Sequence, residues 1–318
     1  MQKPANPLNE KSRIDTLRAL NILDTSPQER FDRITRLAKK IFGVPTALIT
    51  LVDSDRQWFL SAPDLEVKET PRDVSFCGHA ILNDDVFTVP DAINDARFFD
   101  NPFVVGAPNV RFYAGCPISV QNGIKLGTIC LIDQSPRSFN EEDKDLLRDL
   151  AHMVEHEIIA IQLATNDDLT MVPNKRGFEL FAKRALTLCK RMGCPASLMF
   201  IDLDKFKPIN DAFGHAEGDR ALQDFSSILK DTFRDSDIVG RIGGDEFAVF
   251  QVDCTAKACE NNLKRLQKNV TTFNSQSSKK YDIEFSVGIV EYNNQRHESI
   301  HHMLADADNL MYKQKKIR

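Results

Sequence analysis

Apolar residues recur at helical spacing twice near the start of the chain. Leu17, Leu20, Ile22 and Leu23 form one stripe within residues 10–22, and Phe31, Ile34, Leu37 and Ile41 form a second within 27–43. The period then changes. Thr46–Val52 is an uninterrupted β-prone run, and the turn Asp53-Ser54-Asp55 leads into Gln57–Leu60, which predicts a β-hairpin. Further strands are predicted at Val86–Val89, Phe112–Val120 and Leu126–Ile132, the last two joined by a Gln121-Asn122-Gly123 turn. Gly115 and Gly127 fall inside strand patterns, where a bulge or a close backbone approach is expected.

Residues 140–165 read as one long helix. Asn140 followed by Glu141-Glu142-Asp143 is an N-cap with an acidic first turn. Leu147, Ala151, Val154, Ile158, Ile161 and Thr165 then step by four, three, four, three and four, a heptad seam. Such a seam suits a helix packed on its own domain or a two-stranded coiled coil joining two copies of the chain. The helix runs straight into the next segment, which favours the coiled coil. From Asn166 onward, strand runs at Ala196–Asp202, Ile238–Ile242, Glu246–Val252 and Glu284–Glu291 alternate with helical patterns at 174–191, 217–233, 255–273 and 299–316. That alternation predicts an α/β or α+β domain with a covered sheet.

At 318 residues the chain has the length of about two domains. Hydrophobic residues make up 42% and charged residues 27%, so each half can bury a core. The formal net charge of -5 argues against gripping nucleic acid along its backbone. No window reaches the ~18 apolar residues of a membrane span, and Met1–Pro7 has no apolar signal core, so a cytoplasmic location is expected. The seven cysteines (77, 116, 130, 189, 194, 254 and 259) are scattered and contain no Cys-x-x-Cys pair. They read as buried, reduced thiols.

Two acidic segments carry candidate chemistry. In Arg241-Ile242-Gly243-Gly244-Asp245-Glu246-Phe247, two glycines separate two apolar strand runs. This predicts a tight hairpin whose glycines let a large ligand approach, followed at once by two carboxylates that point to opposite faces of a strand. In Phe200-Ile201-Asp202-Leu203-Asp204, Asp202 closes an apolar strand, where an unpaired carboxylate is costly. Hard oxygen ligands suit Mg²⁺, which takes one or two carboxylates and then substrate phosphates. Asp202 and Asp245 could supply those two if their strands are neighbours. A turn cap is the alternative role for Asp202 and Asp204. The stretch that follows, Pro208 to Asp219, holds polar groups suited to a base edge and backbone N–H groups suited to phosphate.

Gly243-Gly244-Asp245-Glu246-Phe247 resembles the signature of the GGDEF family of diguanylate cyclases. Four further motifs, in the family's order, extend the resemblance over 166–318. These are Asp167–Arg176 (with Met171-Val172 where Gly-Leu is usual), Asp202–Asp219, Phe285–Ile289 and Ala307–Lys315. The resemblance implies that Asp202 and Asp245 hold Mg²⁺, or Mn²⁺ in its place, with the carbonyl of Leu203 assisting. Asn210 and Asp219 would bond the guanine edge, and His215 would lie beside the nucleotide. Backbone groups around Lys205 and Phe206, together with Lys207 and Lys315, would receive the triphosphate at the Gly243-Gly244 hairpin. Asp245 and Glu246 are the candidate catalytic carboxylates. A basic residue common four positions past Lys315 in the family would fall after Arg318, which is its candidate substitute. The implied reaction condenses two GTP into cyclic di-GMP with release of two pyrophosphates. One domain holds one GTP, so a homodimer is expected.

Arg234-Asp235-Ser236-Asp237 ends five residues short of Gly243. In the family, an Arg-x-x-Asp at that offset is the product-binding inhibitory site, and the pair suits phosphate and guanine. A non-catalytic receptor for cyclic di-GMP or GTP is the alternative function; a damaged hairpin signature would accompany it, and this one is intact.

The N-terminal half resembles a GAF domain. Leu23-Asp24-Thr25, Phe31–Thr35, Asp55–Phe59, Ser75–Ala80, Asp100-Asn101-Pro102, Arg111–Pro117 and Leu126–Asp133 carry that likeness. It implies an antiparallel sheet flanked by helices, with a pocket for an unidentified small ligand or partner. Cys77 and His79 read as a packed helix turn rather than a haem, bilin or metal pair. Trp58 and Phe59 read as core or pocket wall, and Arg72 and Arg111 as salt-bridge residues. The expected organisation is an α+β chain. It consists of a GAF-type sensory domain at 1–139, a signalling linker helix at 140–165 and a GGDEF domain with a helix-covered central sheet at 166–318.

Overall fold

The period-two runs of the first half pair into one antiparallel sheet. In a computed structural model that describes residues 1–120 and 123–316, the chain divides into two compact units, Met1–Gln162 and Leu163–Arg318. The turn residues Gln121 and Asn122 and the candidate Arg318 lie outside the described residues.

In the first unit, β1 (Thr46–Val52), β2 (Arg56–Ser61), β3 (Glu69–Pro71), β4 (Phe87–Val89), β5 (Phe112–Val120) and β6 (Ile124–Asp133) form a sheet of order β3-β2-β1-β6-β5-β4. The glycine at 127 is there for close approach, as its position in a strand predicts. A Cβ on Gly127 would lie 1.8 Å from the carbonyl oxygen of Thr50 on β1. Helix α1 is Glu10–Ala19 and α2 is Glu29–Phe42. The inward face of α2 is Phe31, Ile34, Thr35 and Ala38, while Leu37 and Ile41 of the predicted stripe are exposed. The short helices α3 (Phe76–Ala80) and α4 (Pro102–Val105) cross the other side of the sheet. The helix turn read at Cys77 and His79 is α3, while α4 escaped prediction because four residues carry no periodicity.

Helix α5 (Glu141–Thr165) corrects the coiled-coil expectation. Leu147, Leu150, Ala151, Val154 and Ile158 are all buried in the core that contains Ile49, Phe112, Ile129 and Phe31, and Ile161 packs on its edge. The seam is therefore used within one chain. A period of 3.5 and a period of 3.6 differ by only ~20° per heptad, so three repeats cannot tell a partner helix from a sheet. Arg72 is a second correction. Expected in a surface or interdomain salt bridge, it is buried, pairs with Glu10, and donates to the carbonyls of Asp53 (3.0 Å) and Ser54 (3.3 Å). The guanidinium of Arg111 donates to the carbonyls of Val104 and Val110, each at 3.0 Å.

In the second unit, β7 (Ala196–Asp204), β8 (Ile238–Arg241), β9 (Glu246–Val252) and β10 (Glu284–Glu291) form an antiparallel sheet of order β10-β7-β9-β8. Alternation along β7 splits the core in two. Leu198 and Phe200 face helices α6 (Lys175–Met192) and α10 (Ile300–Lys315). Met199, Ile201 and Leu203 face α8 (His215–Thr232) and α9 (Ala256–Gln276). The unpredicted α7 (Phe206–Phe213) is separated from α8 by Gly214 at φ 86. Gly288 lets α10 lie against the sheet, since a Cβ there would stand 1.9 Å from the carbonyl oxygen of Ala307. Among the described residues, no helix is long and apolar enough to cross a membrane.

Candidate functional site

Neighbouring strands bring the two acidic segments together. β7 pairs with β9 so that Asp202 stands opposite Glu246, and the N–H of Leu203 donates to the carbonyl oxygen of Asp245 at 3.0 Å. Directly opposed residues share a face, so Asp202 and Glu246 both project from the face covered by α6 and α10. β7 does not stop at Asp202. Pairing of Glu284 with Asp204 carries it two residues further, which places Asp204 on that face too.

The hairpin is tight. The N–H groups of Ile242 and Gly243 both donate to the carbonyl oxygen of Glu246, at 2.8 and 3.3 Å. Its tip is held by a residue to which the sequence assigned no role. The Arg241 guanidinium donates to the carbonyl oxygen of Gly244 from Nε (3.1 Å) and Nη2 (2.7 Å). It also pairs with Asp167 at 2.9 Å. Asp167 is fixed in turn by the hydroxyl of Thr170 at 2.6 Å and its N–H at 2.9 Å. The opening motif of the domain thus anchors the hairpin. An arginine at a strand end gives no local sign of such a task.

Charge crowding shapes the carboxylates. Burial raises the pKa of Asp202; the Lys315 ammonium pulls it down, and the charges of Asp245 and Asp204 push it up. Lys315 Nζ bonds Asp202 Oδ1 and lies 3.9 Å from Asp204. Ser286 donates to Asp204 at 2.8 Å. Glu246 is also raised, first by burial and then by Asp202, Asp308 and Asp245. Beside it lies a cavity of about 360 Å³ lined by Lys175, Glu179, Phe200, Ile242, Glu246 and Asp308 among others.

The donor set fits a hard divalent cation. Several carboxylates raise one another's pKa, and an ammonium is already drawn to Asp202, so positive charge is favoured at this point. Among the described residues no group of three His, Cys, Asp or Glu side chains converges, so a two-carboxylate site completed by a backbone carbonyl and substrate oxygens is the arrangement this chain can offer.

The candidate nucleotide-binding residues lie in the segment after β7. Lys205 sits at φ 58 and α7 begins after it with no side-chain cap, which leaves the first amides of the helix without a side-chain acceptor. The side chain of Lys205 pairs with Glu284 at 2.9 Å, and Lys207 is exposed. The turn at Gly214 folds α7 back on α8, and Asn210 lies so close to Gly218 that a Cβ there would be 1.9 Å from its Oδ1. Asn210 is thereby held against α8, on whose first turns Asp219 and His215 are exposed. Arg234 is exposed after α8. The carboxylate of Asp237 accepts from the N–H of Arg234 at 3.1 Å and of Val252 at 3.3 Å, and burial raises its pKa.

In the first unit, a cavity of about 430 Å³ lies between the sheet and α3. Phe59 lines it, as expected of a pocket wall, while Trp58 is buried in the opposite core. His79 faces the carbonyl oxygen of Gln2 at 3.0 Å.

Comparison with known proteins matches these two units to two families. A model of the GAF domain matches residues 26–158, and a model of the diguanylate cyclase GGDEF domain matches 164–318. The chain is 42% identical over 155 residues to the cyclic di-GMP phosphodiesterase PA2567 of Pseudomonas aeruginosa, covering 48% of this chain and 26% of that protein. It is 34% identical over 164 residues to the probable diguanylate cyclase DgcC of Escherichia coli, covering 52% and 44%. It thus spans less than half the length of either relative. The crystal structure of the coiled coil and GGDEF domain of DgcB from Caulobacter crescentus, in complex with c-di-GMP, superposes with a TM-score of 0.50 at 25% identity. That match covers 54% of this chain and 91% of that one. With the glycine-tipped hairpin, the paired acidic strands and the antiparallel sheet of the first unit, the chain carries a GAF domain followed by a GGDEF domain.

Proposed function

We propose that the chain is a diguanylate cyclase that condenses two GTP into cyclic di-GMP. The observation that supports this most is the strand pairing that sets Asp202 opposite Glu246, with the charge of the adjacent Asp245 felt at Asp202 and a lysine poised on it. Asp202 and Asp245, with the carbonyl of Leu203, would hold Mg²⁺ or Mn²⁺. The bound ion would lower the pKa of the attacking hydroxyl and neutralise developing charge. Asn210 and Asp219 would bond the guanine edge, where an acceptor carboxylate selects N–H donors that adenine lacks. His215 would lie beside the nucleotide. The uncapped amides near Lys205 and Phe206, with Lys207, would receive the triphosphate past Gly243 and Gly244. Lys315 has a double task in this reading. It neutralises Asp202 while the site is empty and turns to phosphate once a cation replaces it.

In the reaction, each 3′-hydroxyl attacks the α-phosphorus of the other nucleotide and pyrophosphate leaves. Asp245 or Glu246 would take up the hydroxyl proton, and the raised pKa of Glu246 brings it nearer the working pH of a base. Each domain holds one GTP, so two must face each other, and a homodimer is part of the proposal. We assign residues 1–139 to sensing of an unidentified ligand or partner, 140–165 to the connection and 166–318 to catalysis. Arg234 and Asp237 would bind product and slow the enzyme; here the exposed Arg234 is the group free to reach it, since Asp237 already serves two backbone amides.

The test is incubation of the purified chain with GTP and Mg²⁺, followed by mass spectrometry. Cyclic di-GMP from the parent and none from Asp202→Asn or Asp245→Asn is the expected result. Intact GTP in the parent reaction would overturn the enzymatic reading in favour of a receptor.

A further inference from the structure

Two cysteines that lie 53 positions apart meet in the first unit. Cys77 on α3 and Cys130 on β6 are 2% and 0% exposed, and their sulfurs are 3.8 Å apart. Only the first of them reaches the 430 Å³ cavity, which is walled mainly by hydrocarbon from Leu48, Phe59, Phe76, Phe103, Val110 and Ile132. The surroundings distinguish the two thiols further. Tyr113 donates its hydroxyl to the sulfur of Cys77 at 3.3 Å, and Thr50 and Thr128 bond it as well. Burial opposes ionisation of Cys77, yet these donors and the Cys130 thiol together hold its pKa below the ordinary range. Contact with the Cys77 sulfur and burial hold Cys130 above it. Elsewhere the contrast is sharp: burial pushes Cys116 and Cys259 up to about 12. A cysteine of the cavity wall with a second thiol 3.8 Å from its sulfur is the arrangement of an attacking and a resolving cysteine.

We propose that Cys77 and Cys130 are a redox-active dithiol that reacts with small apolar hydroperoxides entering this cavity. The sulfur of Cys77 attacks the terminal peroxide oxygen and the O–O bond breaks. The alcohol leaves with the Cys77 proton, and Cys77 becomes a sulfenic acid. The sulfur of Cys130 then attacks that of Cys77, the S–O bond breaks, and water leaves with the Cys130 proton. One hydroperoxide and two thiols thus yield one disulfide, one alcohol and one water. The wall disfavours large charged oxidants such as glutathione disulfide, because most of it is hydrocarbon and its one charged group, Asp133, is already paired with Arg137. Closing the bond would tie α3 to β6 across one side of the sheet. The proposal concerns the first unit alone and does not depend on the reaction of the second.

The experiment is peptide mapping without reductant, on the full chain treated with cumene hydroperoxide or, separately, hydrogen peroxide. A Cys77–Cys130 linked peptide should form first, faster with cumene hydroperoxide, and disappear on addition of a dithiol. Dimedone should label Cys77 in Cys130→Ser. Oxidation of the half-exposed Cys194 with no Cys77–Cys130 link would overturn the proposal. So would faster linkage by hydrogen peroxide than by the apolar reagent. Both outcomes are read on the parent chain, so they stand even if the serine variant fails to fold.

Discussion

Truncation of Ile158 to alanine separates the two uses of the α5 seam. Ile158 is 0% exposed and packs in the core of the first unit. Removing a buried isoleucine side chain to its Cβ costs about 2–5 kcal/mol, the transfer term plus the cavity left behind. At about 2–4 °C per kcal/mol for a domain of this size, a 3 kcal/mol loss lowers the melting midpoint by about 6–12 °C. The loss is intramolecular, so it must be the same at every protein concentration. An interchain coiled coil behaves otherwise, because its stability changes by ~1.4 kcal/mol for each tenfold dilution and the deficit moves with it. Scanning calorimetry over about a hundredfold range of concentration, with sedimentation on the same samples, reads both quantities. Met153→Ala on the exposed side of the helix is the control, with a change within about 0.5 kcal/mol. If Ile158→Ala leaves the midpoint unchanged and merely dissociates a dimer, the packing described here is wrong.

Three further outcomes follow from the second unit. Because the native pKa of Asp202 is raised above the ordinary 3.8, its native form keeps a proton to higher pH than the unfolded chain does. Folding therefore loses free energy as pH rises from 3.8 through the native value, and the penalty is complete above it. Asp202→Asn should melt higher than the parent at neutral pH, with the gap closing as pH falls below 3.8, and should make no product; a lower melting point at neutral pH would refute the argument. Arg241→Lys cannot fork between Gly244 and Asp167. It should lower turnover by about 10²-fold, the cost of a misplaced site, while circular dichroism stays that of the parent. Arg234→Ala should weaken inhibition by cyclic di-GMP about 10–100-fold, equivalent to one charge-assisted contact, without changing the initial rate. Equal inhibition curves would remove the product site.

Long periodic segments were legible from the chain alone, and short ones were not. The strand Thr46–Val52 occupies the residues its pattern predicts, as do β5 and β9, because a sheet with two covered faces buries nearly every residue of such a strand and so demands an unbroken apolar run. α4 and α7 have four and eight residues, too few for a period to show, yet they supply part of a cavity wall and the segment that follows β7. Arg72 looked like a surface ion; its partners Glu10 and the 53–54 carbonyls come from segments that nothing local connects to it. In the same way, the role of Arg241 depends on Asp167, a residue 74 positions away.

The order and chemical type of the groups were written in the chain itself. A glycine pair before two carboxylates, an acidic strand end and a run of polar residues after it restrict which reactions are open, since residue type sets charge, pKa range and backbone freedom. Proximity was decided by folding. Antiparallel pairing set Asp202 opposite Glu246, Gly288 let α10 carry Lys315 to them, and the sheet brought Cys130 under Cys77. The heptad seam had two solutions of nearly equal geometry, and only the packed core of the first unit chose between them. The reason is physical: side-chain chemistry belongs to each residue, whereas distance, burial and the electrostatic field belong to the whole assembly of elements around it.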